Sequence, residues 1–251
     1  MPRSLQQLFN LTGKTALITG GTDGPGWQMA HALGEAGARV MLCARQADEL
    51  EVACADLQAD GIDARWVAAD GAVEADLHKL VSETLQRMGD VDILVNSAGA
   101  TWHPAAPDLL PTWDQVMALQ LRGLFLLSQL VGNTSMIARG GRILNLLPRA
   151  RQLDQSLDLA CQTAQGAVIT FTEALAGQWR RHGITVNAVC LKTAVVPGQP
   201  PLADSVARHD LAGGQDLKGI TVLLASEAGQ HITGQCFAVD GDVGACLEVR
   251  S

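Results

Sequence analysis

Short apolar segments rich in β-branched residues alternate along this chain with longer segments of helical character. A strand at residues 15–19 is followed by a glycine-rich turn and by a helix from about Trp27. Strands that alternate with helices in this way predict a parallel sheet covered by helices on both faces, with right-handed crossovers. The predicted strands cover residues 15–19, 39–43, 64–68, 92–96, 142–147, 184–189 and 236–239. The first predicted helix begins near residue 27. Three more cover residues 48–59, 74–88 and 113–137, a further helix ends at 181, and the last covers 217–226.

The organisation of the chain favours a single domain over residues 1–251. The chain has 251 residues and is 47% hydrophobic, which is enough for a sizeable core. No linker, internal repeat or low-complexity segment interrupts the alternation of strands and helices. The sequence therefore predicts a Rossmann-like, doubly wound α/β domain.

Charge and cysteine usage exclude several classes of protein. The net charge of −8 argues against a protein that binds nucleic acid or an anionic membrane. No segment offers about 20 uninterrupted apolar residues, so we expect no membrane span and a cytoplasmic protein. The six cysteines are scattered and form no C-x-x-C pair, which is typical of reduced thiols rather than of a disulfide framework or a metal site.

A glycine-rich turn at residues 19–26, Thr-Gly-Gly-Thr-Asp-Gly-Pro-Gly, stands between the first strand and the first long helix. Glycines at this place let the backbone approach a diphosphate, and a helix N-terminus supplies free amides and a positive partial charge. The turn therefore indicates nucleotide binding through Gly20, Thr22, Gly24 and Gly26. The alternative is a glycine-rich turn that binds no ligand.

Further motifs follow in order over nearly the whole chain. They are Asp70 after the third strand, N-S-A-G at 96–99, G-R-I-L-N at 141–145, G-I-T-V-N-A-V at 183–189, I-T-G-Q at 232–235 and V-D-G at 239–241. With these motifs the chain resembles the short-chain dehydrogenase/reductase family, and within it the gluconate and 3-oxoacyl reductases. The resemblance implies that a carbonyl is reduced, or an alcohol oxidised, with NAD(P).

All four side chains that the resemblance makes catalytic are replaced in this sequence. In the family a tyrosine protonates the carbonyl oxygen, a lysine lowers the pKa of that tyrosine, a serine binds the carbonyl, and an asparagine completes a proton relay. The chain contains no tyrosine at all, so no shift of the alignment restores the acid. We therefore expect no catalytic residue of the family type. The four positions hold Cys161, Gln165, Pro148 and Gln120 respectively.

The cofactor site keeps only part of the family pattern. Pro25 has no N–H where the family's backbone donates to the diphosphate, and Asp23 places a carboxylate in the same turn. Arg45 after the second strand suits a 2′-phosphate, unless it pairs with Asp23. The pattern predicts weak binding of NADP(H) rather than NAD(H), or no cofactor, in which case these residues only hold the sheet edges. The adenine side matches the family best, at Asp70, Asn96, Ala98 and Gly99.

The helices at residues 113–137 and 161–181 carry apolar side chains on more than one face. The resemblance implies that these two helices pair between subunits of a dimer or tetramer. The alternative is deep burial of both helices within one subunit.

Three hypotheses about function follow. The first is a non-catalytic subunit that pairs with an active dehydrogenase of the same family in a hetero-oligomer. The second is an NADP(H)-dependent or otherwise atypical enzyme that uses the same cleft through Cys161, His103 or nearby arginines. The third is a nucleotide-sensing regulator that binds NADP(H) without turnover.

Overall fold

The computed structural model describes residues 3–99, 109–149, 155–192 and 216–239. Its strands are β1 Thr15–Thr19, β2 Arg39–Ala44, β3 Ala64–Ala68, β4 Ile93–Asn96, β5 Gly141–Arg149, β6 Ile184–Lys192 and β7 Cys236–Val239. They form one sheet in the order β3-β2-β1-β4-β5-β6-β7, and every neighbouring pair is parallel. This arrangement confirms the predicted doubly wound α/β fold.

Helices connect these strands, as the alternating pattern predicts. The described α-helices are α1 Leu5–Phe9, α2 Gly24–Glu35, α3 Ala47–Ala59, α4 Glu74–Met88, α5 Leu109–Val116, α6 Leu124–Val131, α7 Gln155–Trp179 and α8 Asp216–Ala225. Helix α2 begins three residues before the predicted Trp27, because Pro25 in its first turn already has the backbone angle that a helix requires.

The predicted helix at 113–137 is not uniformly α-helical. Met117–Gly123 and Gly132–Met136 are π-helical, on either side of α6. A glycine at an edge of each π-helical segment lets a neighbouring group approach closely. A Cβ on Gly123 would lie 2.0 Å from the carbonyl oxygen of Gly71, and a Cβ on Gly132 would lie 2.1 Å from the Trp179 ring.

Two apolar layers bury the sheet, because neighbouring side chains of a strand point to opposite faces. In β1, Ala16 and Ile18 pack towards α2, α3 and α8, whereas Leu17 packs towards α4, α6 and α7. All five residues of β1 are buried, as expected for a central parallel strand. The two layers fix the positions of the strand ends, where the predicted site lies.

The contact between Gly132 and Trp179 gives a test of this packing. Gly132→Ala is expected to destabilise the protein by about 1–3 kcal/mol, because the added methyl group would overpack the buried Trp179 ring. The matched control is Gly219→Ala in α8, where no atom lies within 4 Å of the added Cβ. That control should stabilise the helix by about 0.5–1 kcal/mol. Urea unfolding measures both changes, and equal midpoints for the two variants would contradict the packing described.

Candidate active site

The predicted site residues meet at the carboxyl edge of the sheet. Strand β1 lies between β2 and β4, so the strand order reverses at this point. Ligands of doubly wound sheets bind in the crevice outside the strand ends at such a reversal. The turn after β1, Arg45 after β2, Asp70 after β3 and residues 96–99 after β4 all lie on this edge.

The turn after β1 packs directly against the end of β4. Gly20 has a φ of 66°, and a Cβ there would lie 2.9 Å from the carbonyl oxygen of Ser97. A Cβ on Gly26 would lie 2.1 Å from the carbonyl oxygen of Gly20. The amide of Gly20 also donates to the carbonyl of Cys43 at 2.8 Å. These glycines therefore give the strand, the turn and α2 the close approach that a diphosphate-binding turn needs.

Thr19 holds the same two strand ends together through its side chain. Its Oγ1 accepts hydrogen bonds from the amides of Ser97 at 3.1 Å and Ala98 at 3.2 Å. Our sequence reasoning did not assign a role to Thr19, although it is the first residue of the T-G-x-x-x-G-x-G motif. A threonine that precedes this glycine pattern is the signal that could have identified it.

The N-terminus of α2 has fewer free amides than the usual phosphate-binding helix. Asp23 is the N-cap residue and is exposed, and Pro25 is buried in the first turn. Because proline has no N–H, the turn lacks one donor that an ordinary residue would supply. Arg45 is exposed and forms no ion pair with the residues that the structure describes, so the predicted alternative of an Asp23–Arg45 pair is not formed.

Asp70 stabilises its own turn rather than presenting a free carboxylate. Its Oδ1 accepts from the amide of Ala72 at 2.9 Å, and its amide donates to Oδ2 of Asp76 at 2.9 Å. Asp70 is half-buried.

The side chain of Asn96 lies against the face of the sheet that α6 and α7 cover. Its Nδ2 donates to Ser128 Oγ at 3.1 Å and to Asn145 Oδ1 at 2.9 Å, and Asn145 Nδ2 donates to Thr172 Oγ1 at 2.8 Å. All four side chains are buried and join β4, β5, α6 and α7. For Asn96 the geometry therefore favours the interpretation in which the residue holds the sheet.

Gln120, at the family's asparagine position, lies in the first π-helical segment. Its Nε2 donates to the carbonyl of Gly99 at 3.0 Å, and the residue is 8% exposed. Its Cγ lies 2.9 Å from the point where a Cβ of Gly99 would be placed. Gln120 therefore fixes the loop after β4, and its amide N–H is committed to that loop.

Cys161 and Gln165 lie one turn apart on α7. Cys161 is half-buried beside an apolar cluster of Trp113, Val116, Met117, Ala160 and Ala164. That Cys161 fills space at this helix stays a prediction. The Nε2 atom of Gln165 is buried and finds no hydrogen-bond acceptor among the described residues. The backbone of Pro148, in β5, pairs with Leu191 of β6.

One cavity at this edge, lined by described residues, is small. Its volume is about 20 Å³, and it is lined mainly by apolar groups, among them Leu119, Leu124 and Leu127. That space suits one water-sized molecule. His103 and the arginine at 151 lie outside the described residues, as do the side chains of Pro148 and Arg149.

The described residues contain no group of three or more His, Cys, Asp or Glu side chains that could hold a metal ion. Within the same residues, no helix combines the length and the apolar character that a membrane crossing requires.

Comparison with known proteins identifies the family. The short chain dehydrogenase model matches residues 14–200. This chain belongs to the short-chain dehydrogenase family. It is 30% identical to the D-threitol dehydrogenase of Mycolicibacterium smegmatis over 243 residues, which cover 93% of this chain and 94% of that protein. It is also 30% identical to the gluconate 5-dehydrogenase of Gluconobacter oxydans, with 96% of this chain and 98% of that protein covered.

A solved structure supports the same assignment. The fold resembles that of a gluconate 5-dehydrogenase from Burkholderia cenocepacia, crystallised in complex with NADP and tartrate, with a TM-score of 0.80 and 30% identity. The match covers 95% of this chain and 98% of that one. The predicted resemblance to the family, and to its gluconate and 3-oxoacyl reductases, is therefore confirmed.

The close approach of the turn to β4 can be tested at Gly20. Gly20→Ala should destabilise the protein, because the residue has a positive φ and its Cβ would meet the Ser97 backbone. Gly183→Ala is the matched control, since Gly183 is left-handed, with a φ of 70° and a ψ of 19°, and its Cβ would meet no atom closer than 3.8 Å. Both variants carry the strain of the left-handed backbone, of about 1 kcal/mol. The Gly20 variant should lose about 1–3 kcal/mol more. Equal losses in chemical denaturation would mean that the β4 end moves aside freely.

Proposed function

We propose that this chain is a short-chain dehydrogenase homologue without hydride-transfer activity of its own, which acts as the non-catalytic subunit of an oligomer with an active family member. The absence of any tyrosine from its 251 residues carries this proposal. A family-type reduction delivers a proton to the carbonyl oxygen, and the family's donor is that phenol.

The residues at the replaced positions do not supply the lost chemistry. Cys161 faces an apolar cluster, and Gln165, one turn later, carries no charge that could lower a thiol pKa. Gln120 donates to Gly99, and Pro148 has no polar side-chain group. Removing one general acid costs about 10² to 10⁴ in rate, and here its activator and the carbonyl donor are absent as well.

The cofactor crevice fits the diphosphate and the 2′-phosphate of NADP(H) better than it fits the nicotinamide end. At Gly20 and Gly26 the backbone segments approach as closely as in a diphosphate-binding turn, and the exposed Arg45 suits a 2′-phosphate. Pro25 removes a donor, and the nicotinamide end has Gln165 where a lysine would hold the ribose. NADP(H) supplies a hydride when it is bound to an active family member. In this chain we expect the same crevice to hold the cofactor weakly or to remain a structural support for the sheet edge.

The proposed contact surface is the shared face of α6 and α7. Phe125 of α6 is 48% exposed, and its ring meets Phe171 of α7 edge-on, with 5.7 Å between the ring centroids. No charged residue occurs between Arg122 and Arg139, and residues 159–178 contain only Glu173. Exposed helices with so few charges are typical of protein interfaces. Helices 113–137 and 161–181 are therefore the proposed interface.

An enzyme with atypical chemistry in the same cleft is the second candidate. The names of the relatives favour it, since these proteins are dehydrogenases and reductases. A substrate screen with Cys161→Ala separates the possibilities, because activity that survives the substitution excludes a thiol mechanism.

A nucleotide-sensing regulator is the third candidate. Titration calorimetry with NADPH tests it, and absence of binding at millimolar cofactor eliminates it.

The purified chain is expected to turn over gluconate or threitol with NADP⁺ at least about 10⁴-fold more slowly than an intact relative assayed beside it. The reason is the missing acid, so the deficit should persist at every pH at which both proteins stay folded. Stopped-flow or steady-state absorbance at the nicotinamide band measures it. Turnover at the speed of the intact relative, in a preparation free of other dehydrogenases, would refute the proposal.

Assembly provides the second test. The chain is co-expressed with intact family members from the same genome, and the complex is measured by size-exclusion chromatography with light scattering. Phe125→Arg should abolish the mixed complex, because it places a charge in an apolar contact. Val52→Arg on α3 is the matched control, since Val52 is 44% exposed and lies on the opposite side of the sheet. If the chain assembles only with itself and changes no partner's activity, the proposal of a non-catalytic subunit is wrong.

A further inference from the structure

Two cysteines from neighbouring strands lie in contact. Cys190 of β6 and Cys236 of β7 have sulfur atoms 3.1 Å apart. Ala188 is the register partner of Cys236, so residues 188, 190 and 236 point to the same face of the sheet. Both thiols pack against the same apolar cluster, which includes Leu147 and Val168. The pair is therefore set by the strand register, and not by a chance meeting of flexible side chains.

The pair differs from the other thiols of the sheet region. Burial, with the negative charges of Asp76 and Asp70, raises the pKa of Cys43 to about 12, so this thiol stays protonated and unreactive. Burial also raises the pKa of Cys54. Cys190 and Cys236 are only half-buried, so a small reagent can reach them. Disulfide formation requires that a reagent can reach a thiol and that a second thiol lies beside it, and this pair meets both conditions.

The sulfur separation is close to bonding distance. A disulfide bond is about 2.05 Å long, so the two sulfur atoms need to approach by about 1 Å from their present separation. Because Cys190 and Cys236 are two positions out of register, closing the bond requires a shift of the edge strand β7 as well as rotation of the two side chains about their Cα–Cβ bonds. We propose that Cys190 and Cys236 are a redox modification site, at which a small-molecule disulfide such as oxidised glutathione converts the two thiols into a reversible intramolecular disulfide.

The exchange proceeds in two balanced steps. The thiolate of one cysteine attacks the small-molecule disulfide, forms a mixed disulfide and releases one small thiol. The second cysteine loses its proton and attacks the protein sulfur of that mixed disulfide, which releases the second small thiol. The protein loses two hydrogens and two electrons, and the small disulfide gains them. A reducing thiol pool reverses both steps.

The bond would cross-link the last two strands of the sheet. β7 is an edge strand, held only by β6 on one side. The disulfide would close a loop that begins at Cys190, contains α8 and ends at Cys236. Disulfides in proteins of reducing compartments are usually transient and redox-sensing, which is the role inferred for this pair. The inference does not depend on the proposed loss of catalysis.

The test is peptide mapping of the whole chain after equilibration with reduced and oxidised glutathione. Free thiols are blocked by alkylation, and the protein is digested with trypsin without reduction. Cys190 then lies in the peptide 182–192, and Cys236 lies with Cys246 in the peptide 219–250. We expect these peptides to be linked, with a mass about 2 Da below the sum of the two reduced peptides. The count of free thiols should fall from six to four.

Cys246→Ser makes the assignment unambiguous, because Cys236 is then the only cysteine of its peptide. The linked pair should persist in this variant and in Cys54→Ser, and disappear in Cys190→Ser or Cys190→Ala. The inference is overturned if Cys190 and Cys236 stay fully alkylated under oxidising glutathione. It is equally overturned if either cysteine carries glutathione instead of its partner, or if Cys236 is bonded to Cys246.

Discussion

The site depends on one contact, the packing of the turn after β1 against the end of β4. The contact is made by backbone atoms, with Gly20 against Ser97 and Gly26 against Gly20, and by the Oγ1 of Thr19, which accepts two amide hydrogen bonds. Backbone contacts of this kind leave no room for side chains to adjust. The position of α2, and of the amides at its N-terminus, therefore follows from how closely β1 and β4 meet.

The fold could be predicted from the sequence because its strands are continuous apolar segments. Such segments are typical of the strands of a parallel sheet that is buried on both faces. The π-helical segments could not be predicted in the same way. Gly123 lies against the carbonyl of Gly71, and Gly132 against the ring of Trp179. These neighbours are far apart in sequence, so the local helical pattern of residues 113–137 contains no sign of them.

The edge on which the site residues lie was likewise predictable, whereas the direction of their side chains was not. Asn96 ends β4, yet its amide bonds to Ser128 of α6 and to Asn145 of β5. Gln120 turns to the carbonyl of Gly99. The contact of Cys190 with Cys236 required the register of β6 and β7, which composition and spacing do not contain. In each case a partner distant in sequence decides which of several hydrogen bonds or contacts is made.

These contacts are separate from the positions that the family uses for catalysis, so the fold does not depend on the side chains at those positions. The turn, the Thr19 clamp and the Asn96–Asn145 network involve none of the four replaced positions. Two of the replacements have structural uses, since Gln120 bonds to the loop after β4 and Cys161 packs in an apolar cluster. Gln165 is different, because its Nε2 atom is buried and finds no acceptor among the described residues. Of the three replaced side chains that the structure describes, those at 120 and 161 therefore support the fold through contacts that the side chain at 165 lacks.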